Sequence, residues 1–132
     1  MTFELGGLCP LLQVYDMPAS LAFYRDALGF ELVDRSAGER IDWCLLKQGG
    51  AWLMLNTAYE TDEERPVPPD PGRVAAHDDT SLFIEARDLN AIHAHLAALG
   101  LAGAPPNTAP YGMRQLYVRD PDGYSICFQH PA

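Results

Sequence analysis

Hydrophobic and polar positions along the chain fall into two successive blocks with the same plan. Alternation over residues 8–15, and again over 80–86, predicts a strand at the head of each block, since side chains two apart share a face. Each strand leads into a short amphipathic helix. The first helix opens at Asp16, stops at Gly29 and carries Leu21, Tyr24 and Leu28 on one stripe; the second opens at Asp88, stops at Gly100 and carries Leu89, Ile92, Leu96 and Leu99. An aspartate suits the N-cap, where its carboxylate accepts backbone N–H groups, and a glycine suits the left-handed position past the C-terminus. The offset between the helices is about 72 residues, so the chain carries an internal repeat.

Further strands follow each helix. In the first block they are expected at 30–34, 41–48 and 51–56, the last two joined by Gly49-Gly50, a pair suited to a tight hairpin. In the second block, 113–119 and 124–129 flank the turn Asp120-Pro121-Asp122-Gly123, and a short strand at 101–104 runs into Pro105-Pro106. The proline-rich, acidic stretch 59–79 separates the blocks and is expected to be an exposed linker. The plan is therefore βαβββ, linker, βαβββ, an α+β fold in one domain of residues 1–132. Module one covers 5–58 and module two 80–130.

Strand parity assigns the faces. Leu8, Leu12 and Val14 are expected to face the helix, leaving Cys9, Leu11, Gln13 and Tyr15 opposite. A two-residue hairpin pairs residues whose numbers sum to about 99, so Trp43, Leu45 and Lys47 share a face with Asn56, Met54 and Trp52, while Cys44, Leu46, Leu53 and Leu55 turn to the helix. In the second block Leu82, Ile84, Ala86, Ile126 and Phe128 face the helix, leaving Ser81, Phe83, Glu85, Ser125, Cys127 and Gln129 opposite. The helix-facing sets are nearly pure hydrocarbon. The opposite sets mix aromatic rings and Met54 with amides, hydroxyls and Glu85. Such a face could simply stand partly in water, but two tryptophans, a methionine and a phenylalanine on it argue for cover. That leaves a ligand cavity, with apolar walls and a few polar groups, or a buried interface between modules.

Composition narrows the partners. Hydrophobic residues make up 48% and charged ones 20% of 132 residues, as in soluble globular domains, and no apolar run approaches the roughly 20 residues that span a bilayer. A net charge of -9 repels phosphate backbones and anionic lipid, so neither nucleic acid nor a membrane is an expected partner. Much of that charge sits in the linker, at Glu60, Asp62, Glu63, Glu64, Asp70, Asp78 and Asp79, where solubility accounts for it. The start of the chain lacks the basic and apolar stretches of a signal peptide. Cys9, Cys44 and Cys127 are widely spaced, as expected of reduced thiols in the cytoplasm.

Two motifs carry a resemblance. Val14-Tyr15-Asp16-Met17-Pro18-Ala19-Ser20-Leu21-Ala22-Phe23-Tyr24-Arg25-Asp26-Ala27-Leu28-Gly29-Phe30 is similar to the V-x-D-x-x-x-S-x-x-F-Y-x-x-x-L-G-F stretch of the glyoxalase/bleomycin-resistance/extradiol dioxygenase, or vicinal oxygen chelate, superfamily. Pro110-Tyr111-Gly112-Met113-Arg114 followed by Asp120-Pro121-Asp122-Gly123-Tyr124 resembles the W/Y-G-x-R…D-P-x-G ending of its bleomycin-resistance-like members. The resemblance spans nearly the whole chain and implies half-open barrels built from the two modules and paired in a homodimer. It also implies four metal-ligand positions, usually His, Glu or Gln, which fall here on Cys9, Met54, Ser81 and Cys127. Met and Ser supply neither the charge nor the donor strength a divalent ion needs, so no metal and no other cofactor is expected. His93 and His95, two apart on a helix, cannot share a face; His77 and His130 stand at no ligand position.

Three functions are compatible with these residues. A metal-free binding protein would stack a flat, aromatic or cationic antibiotic-like ligand on Trp43 and Trp52, line the wall with Met54 and Phe83, and orient polar groups with Gln13, Asn56 and Glu85. Tyr111, in the loop ending at Arg114, would cap the site. An enzyme of the same superfamily, a lyase, isomerase or dioxygenase, would need a further metal set or acid–base work by Glu85 or a thiol, and no catalytic residue is assigned. An interaction module would fill the face with protein and hold no ligand.

Overall fold

A computed structural model describes residues 2–132. The chain divides between Arg65 and Pro66 into two compact units. The element order is β1 (Leu11–Val14), α1 (Met17–Leu21) continuing into a π-helical turn (Ala22–Ala27), β2 (Glu31–Arg35), β3 (Trp43–Gln48), β4 (Ala51–Thr57), α2 (Pro71–Ala76), β5 (Ser81–Glu85), α3 (Leu89–Ala98), β6 (Asn107–Thr108), β7 (Met113–Arg119) and β8 (Ser125–Pro131). Short 3-10 turns occupy Asp62–Glu64 and His77–Asp79. Each unit holds a mixed four-stranded sheet, in the order β1-β4-β3-β2 and β5-β8-β7-β6, so the repeat in the sequence is a repeat in topology.

Both helices start and stop as the sequence predicts. Asp16 accepts the Ala19 N–H at 3.1 Å and Asp88 the Ala91 N–H at 3.0 Å. Gly29 (φ 80°) and Gly100 (φ 73°) take the left-handed positions past the helix ends. Between those ends the first helix is unusual. Leu28 N–H bonds five residues back to Phe23 O at 3.0 Å, and the widened turn leaves the adjacent Phe23 and Tyr24 both buried, ring edge to ring face.

The first core joins those rings and Leu21 of the helix stripe to Leu12, Val14, Cys44, Leu46, Leu53 and Leu55, helix-facing residues that parity assigned. Leu8 is a correction: it is 89% exposed, because pairing with β4 begins only after Pro10, whose missing N–H and preceding Gly6-Gly7 leave the chain ahead of it without a strand. In the second unit Leu89, Leu96, Leu116, Val118, Ile126 and Phe128 are buried, whereas Leu82, Ile84 and Ile92 are half-buried and Leu99 is exposed. The short strand expected at 101–104 forms instead at Asn107–Thr108, where Asn107 pairs with Gln115 and Thr108 with Arg114. Pairing with β7 starts only beyond Pro105-Pro106, since proline has no N–H to offer a ladder.

The stretch 59–79 is more than a solvated spacer. Asp70 caps α2 by accepting the Gly72 N–H at 3.0 Å, and Arg73 meets the fully buried Asp122 at 2.5 Å. His77 donates its Nδ1–H to the Asp122 carbonyl at 2.7 Å and stacks on Tyr124 with ring centroids 4.0 Å apart. Asp78 pairs with Arg119, and Asp62 with Arg40 and Arg65. Residues 66–79 thus fold onto the β7–β8 turn, and several acidic residues expected to act through solubility have defined cationic or backbone partners.

Candidate functional site

Pairing within each sheet fixes which side chains stand together on the face turned away from the helix. In the first unit Gln13, Asn56 and Trp43 form one cross-strand row, and Leu11, Met54 and Leu45 the next. Trp52 and Lys47 form a third. The 99-sum pairing therefore holds at every rung of the hairpin. Trp52 is 39% exposed and Lys47 Nζ sits 4.8 Å over its ring, so a cation already occupies that indole face. Trp43, Met54 and Asn56 are half-buried. The Asn56 Oδ1 is buried and has no hydrogen-bond partner among the described residues.

The second unit repeats the three rows with other chemistry. Glu85, Gln129 and Gln115 correspond to Gln13, Asn56 and Trp43; Phe83, Cys127 and Tyr117 to Leu11, Met54 and Leu45; Ser81, Ser125 and Arg119 to the row of Trp52 and Lys47. Gln115 is buried and donates from Nε2 to Tyr111 Oη at 2.8 Å and to Gln129 Oε1 at 3.0 Å. Phe83 (52% exposed) and Tyr117 (44% exposed) meet edge to face at 6.2 Å. Tyr117 also hydrogen-bonds Cys127, and desolvation followed by that neighbour holds its phenol above the ordinary tyrosine value. Glu85 is exposed and paired with Arg87 at 2.7 Å.

Of the residues expected at a ligand site, Gln13, Trp43, Trp52, Met54 and Asn56 stand together in the first unit, and Phe83 and Glu85 share a face in the second. Tyr111 lies beside them through Gln115. Arg114 does not join them. It occupies the opposite parity of β7, in the row of Thr108 and His130, on the side of Leu116 and Val118. Gln115 and Tyr117 were missed. Their signal was in the sequence, because parity carried along 113–119 sets Met113, Gln115, Tyr117 and Arg119 apart from Arg114, Leu116 and Val118.

The four positions at which the resemblance implies metal ligands carry side chains that do not fit a metal here. Cys127 is fully buried, and burial pushes its thiol up, away from the thiolate a metal requires; the Tyr117 hydroxyl and the Leu116 backbone offset this only in part. Met54 offers a thioether, Ser81 a hydroxyl and Cys9 a partly buried thiol ahead of β1. No carboxylate or imidazole stands in the set. No group of three or more His, Cys, Asp or Glu side chains suited to a metal occurs among the described residues. Of the histidines, His93 lies 3.3 Å from the Gly103 carbonyl and His130 Nδ1 lies 2.7 Å from the Pro131 carbonyl.

Residues 8–128 match the family model described as Glyoxalase/Bleomycin resistance protein/Dioxygenase superfamily. Among solved structures, an antibiotic binding protein from Streptomyces sp. CB03234 superposes with a TM-score of 0.72 at 24% identity, over 99% of this chain and 100% of that one. A bleomycin resistance determinant encoded on the transposon Tn5 gives 0.70 at 21% identity, over 96% and 98%. The bleomycin-binding protein of the bleomycin-producing Streptomyces verticillus, in complex with copper(II)-bleomycin, gives 0.66 at 26% identity, over 96% and 97%. No curated protein matches the chain. No helix among the described residues is long and apolar enough to cross a membrane.

Proposed function

Because the chain belongs to the Glyoxalase/Bleomycin resistance protein/Dioxygenase superfamily, we propose that it is a small-molecule binding protein that sequesters a planar, cationic, antibiotic-like compound on the helix-free faces of its sheets. The observation that carries this reading is the Asn56 Oδ1, buried without a donor beside Trp43 and Gln13. An acceptor in that state costs on the order of 1–3 kcal/mol, which a ligand N–H recovers. A cationic ring system supplies both the donor and a flat surface for the indoles. Lys47 over Trp52 supports the same chemistry: the indole face accepts a cation, and a bound ligand takes the place of that ammonium. The donor set at Cys9, Met54, Ser81 and Cys127 leaves metal-assisted chemistry without ligands, and no catalytic role is assigned.

The relatives named above are bleomycin-binding, bleomycin resistance or antibiotic binding proteins, which supports the ligand class. We further propose a cytoplasmic homodimer, because exposed rings on a sheet face favour cover by a second copy. Titration with cationic aromatic antibiotics, bleomycin included, tests the reading through tryptophan fluorescence. Saturable quenching is expected, weakened at least about tenfold by Trp43→Ala or by Asn56→Leu, which removes the acceptor. A flat response across the panel would overturn it. Light scattering that gives a stable monomer of 14.5 kDa at micromolar concentration would remove the dimer.

A further inference from the structure

We infer that the second unit carries its own binding site for a planar, N–H-bearing bicyclic heterocycle of indole type, beside Ser125. The inference goes beyond the reading above, since it concerns the second unit alone and stands whether or not Trp52 stacks on a ligand. It starts from the row at which the two sheets differ most. In the first unit the cross-strand pair is Trp52 with Lys47, an indole with an ammonium above it. In the second unit the corresponding pair is Ser125 with Arg119. A cation is kept and the ring is gone.

The missing ring leaves space. A cavity of about 480 Å³, within the range of small-molecule sites, is lined by Leu101, Ala102, Gly103, Tyr117, Arg119 and Ser125. Its apolar wall is the 101–103 segment, which forms no strand ahead of Pro105-Pro106 and runs along the edge of β7, with the Gly103 Cα region against the Tyr117 carbonyl. Its polar wall is built. Ser125 is only 8% exposed, lines the cavity, and its hydroxyl makes no hydrogen bond with any described residue. The hydroxyl reaches the cavity, so a ring N–H directed at Oγ finds an acceptor there. Arg119 is held by the Gly123 carbonyl at 3.0 Å and by Asp78, so its guanidinium is oriented before a ligand arrives and offers its flat face to a ring. The site thus presents a cation, an aromatic phenol and an accessible hydroxyl around one cavity, at the row where the sister unit carries an indole.

Backbone-amide NMR of the intact protein titrated with indole tests the inference. Shifts are expected at residues 101–103, 117–119 and 125, saturating at one indole per chain. Ser125→Trp, which places the sister unit's ring in the cavity, should weaken binding at least about tenfold. Ser125→Ala keeps the volume and removes the hydroxyl, so it should weaken indole about three- to tenfold and leave 1-methylindole, which lacks the N–H, unchanged. Shifts confined to residues around Trp43 and Trp52, no shifts, or equal loss of indole and 1-methylindole on Ser125→Ala would each overturn it. A protein that binds indole beside Ser125 but ignores every cationic antibiotic would retain this site and lose the proposed function; the reverse result would do the opposite.

Discussion

The two sheets share topology, register and helix caps, yet they differ at the turn that joins their last two long strands. In the first unit, Gly49-Gly50 links β3 to β4 in two residues, and a Cβ on either glycine would meet nothing within 4 Å. In the second unit, Asp120 to Tyr124 intervenes between β7 and β8, and α2 is anchored on it through Arg73, His77 and Val74. The first turn only reverses the chain. The second is also a docking surface for the segment that leads into its own sheet. The difference shows how a duplicated framework diverges: ladders and caps persist because backbone hydrogen bonding fixes them, while turns and outward side chains are free to take on other work.

The sharpest way to break this comparison is to add one methyl group to each turn. Gly123 has φ 87°, and a Cβ there would lie 2.5 Å from the Val74 carbonyl oxygen. Left-handed strain of about 1–2 kcal/mol and overpacking of about 1–3 kcal/mol then act together, so Gly123→Ala should cost roughly 3 kcal/mol. Gly49 has φ 55° with open space around it, and Gly49→Ala should cost about 1 kcal/mol from strain alone. Urea denaturation of both variants measures the gap. Equal losses would mean that α2 does not press on the second turn.

The caps should show the opposite, near equality. Removing either carboxylate with Asp16→Ala or Asp88→Ala orphans the same N–H donor of a first turn, for about 1 kcal/mol each. Asp16 also lies 3.5 Å from Arg65, a partly exposed pair that adds at most a few tenths, so the first loss should be marginally the larger. A difference of several-fold would show that the two helices do not depend on their caps alike.

How much of this was legible in the sequence follows from the range of each signal. Caps, C-terminal glycines and the hairpin register are local, set by residues within a few positions of one another, and Asp16, Gly29, Asp88, Gly100 and the Trp43–Asn56 pairing stand where the pattern placed them. The folding of 66–79 depends on Asp122, 49 residues from Arg73, and no local composition reveals such a partner; proline and acid content predicted only solvent. β6 was displaced for a related reason: the pattern marked 101–104 as apolar, but the ladder needs N–H groups, which become available only past Pro105-Pro106. The outward rows are readable wherever parity is applied, and Tyr117 and Gln115 escape only because the face assignment by parity stops short of 113–119. The emptiness beside Ser125 lies outside any sequence pattern, since it arises from comparing two rows in space.

The thiols offer the mildest test of the same contrast, one in each unit and on opposite faces of their sheets. Cys44 lies on the helix side of β3, where burial raises its pKa while a hydrogen bond with the Leu55 backbone and the charge of Arg25 offset part of the rise. Cys127 lies on the outward face of β8 beneath Tyr117, again raised first by burial. Each thiol ionises near 9.0 when unfolded and later when folded, so the folded state keeps its proton while the unfolded state gains by losing it. The stabilising contribution is therefore complete below pH 9.0 and falls away as pH climbs through the raised folded value. Stability measured at about pH 7.5 and about pH 10 should drop less in Cys44→Ala and Cys127→Ala than in the unaltered protein. Labelling kinetics then separate the two faces. Cys127 is covered by the half-exposed Tyr117 and Phe83 and should react through local fluctuation, whereas Cys44, sealed between sheet and helix, should react only at the rate of unit opening. Cys9, partly exposed ahead of β1, should react before both. Equal rates at Cys44 and Cys127 would show that the outward face of the second sheet is as firmly closed as its core, and would leave no route for a ligand to enter beside Tyr117.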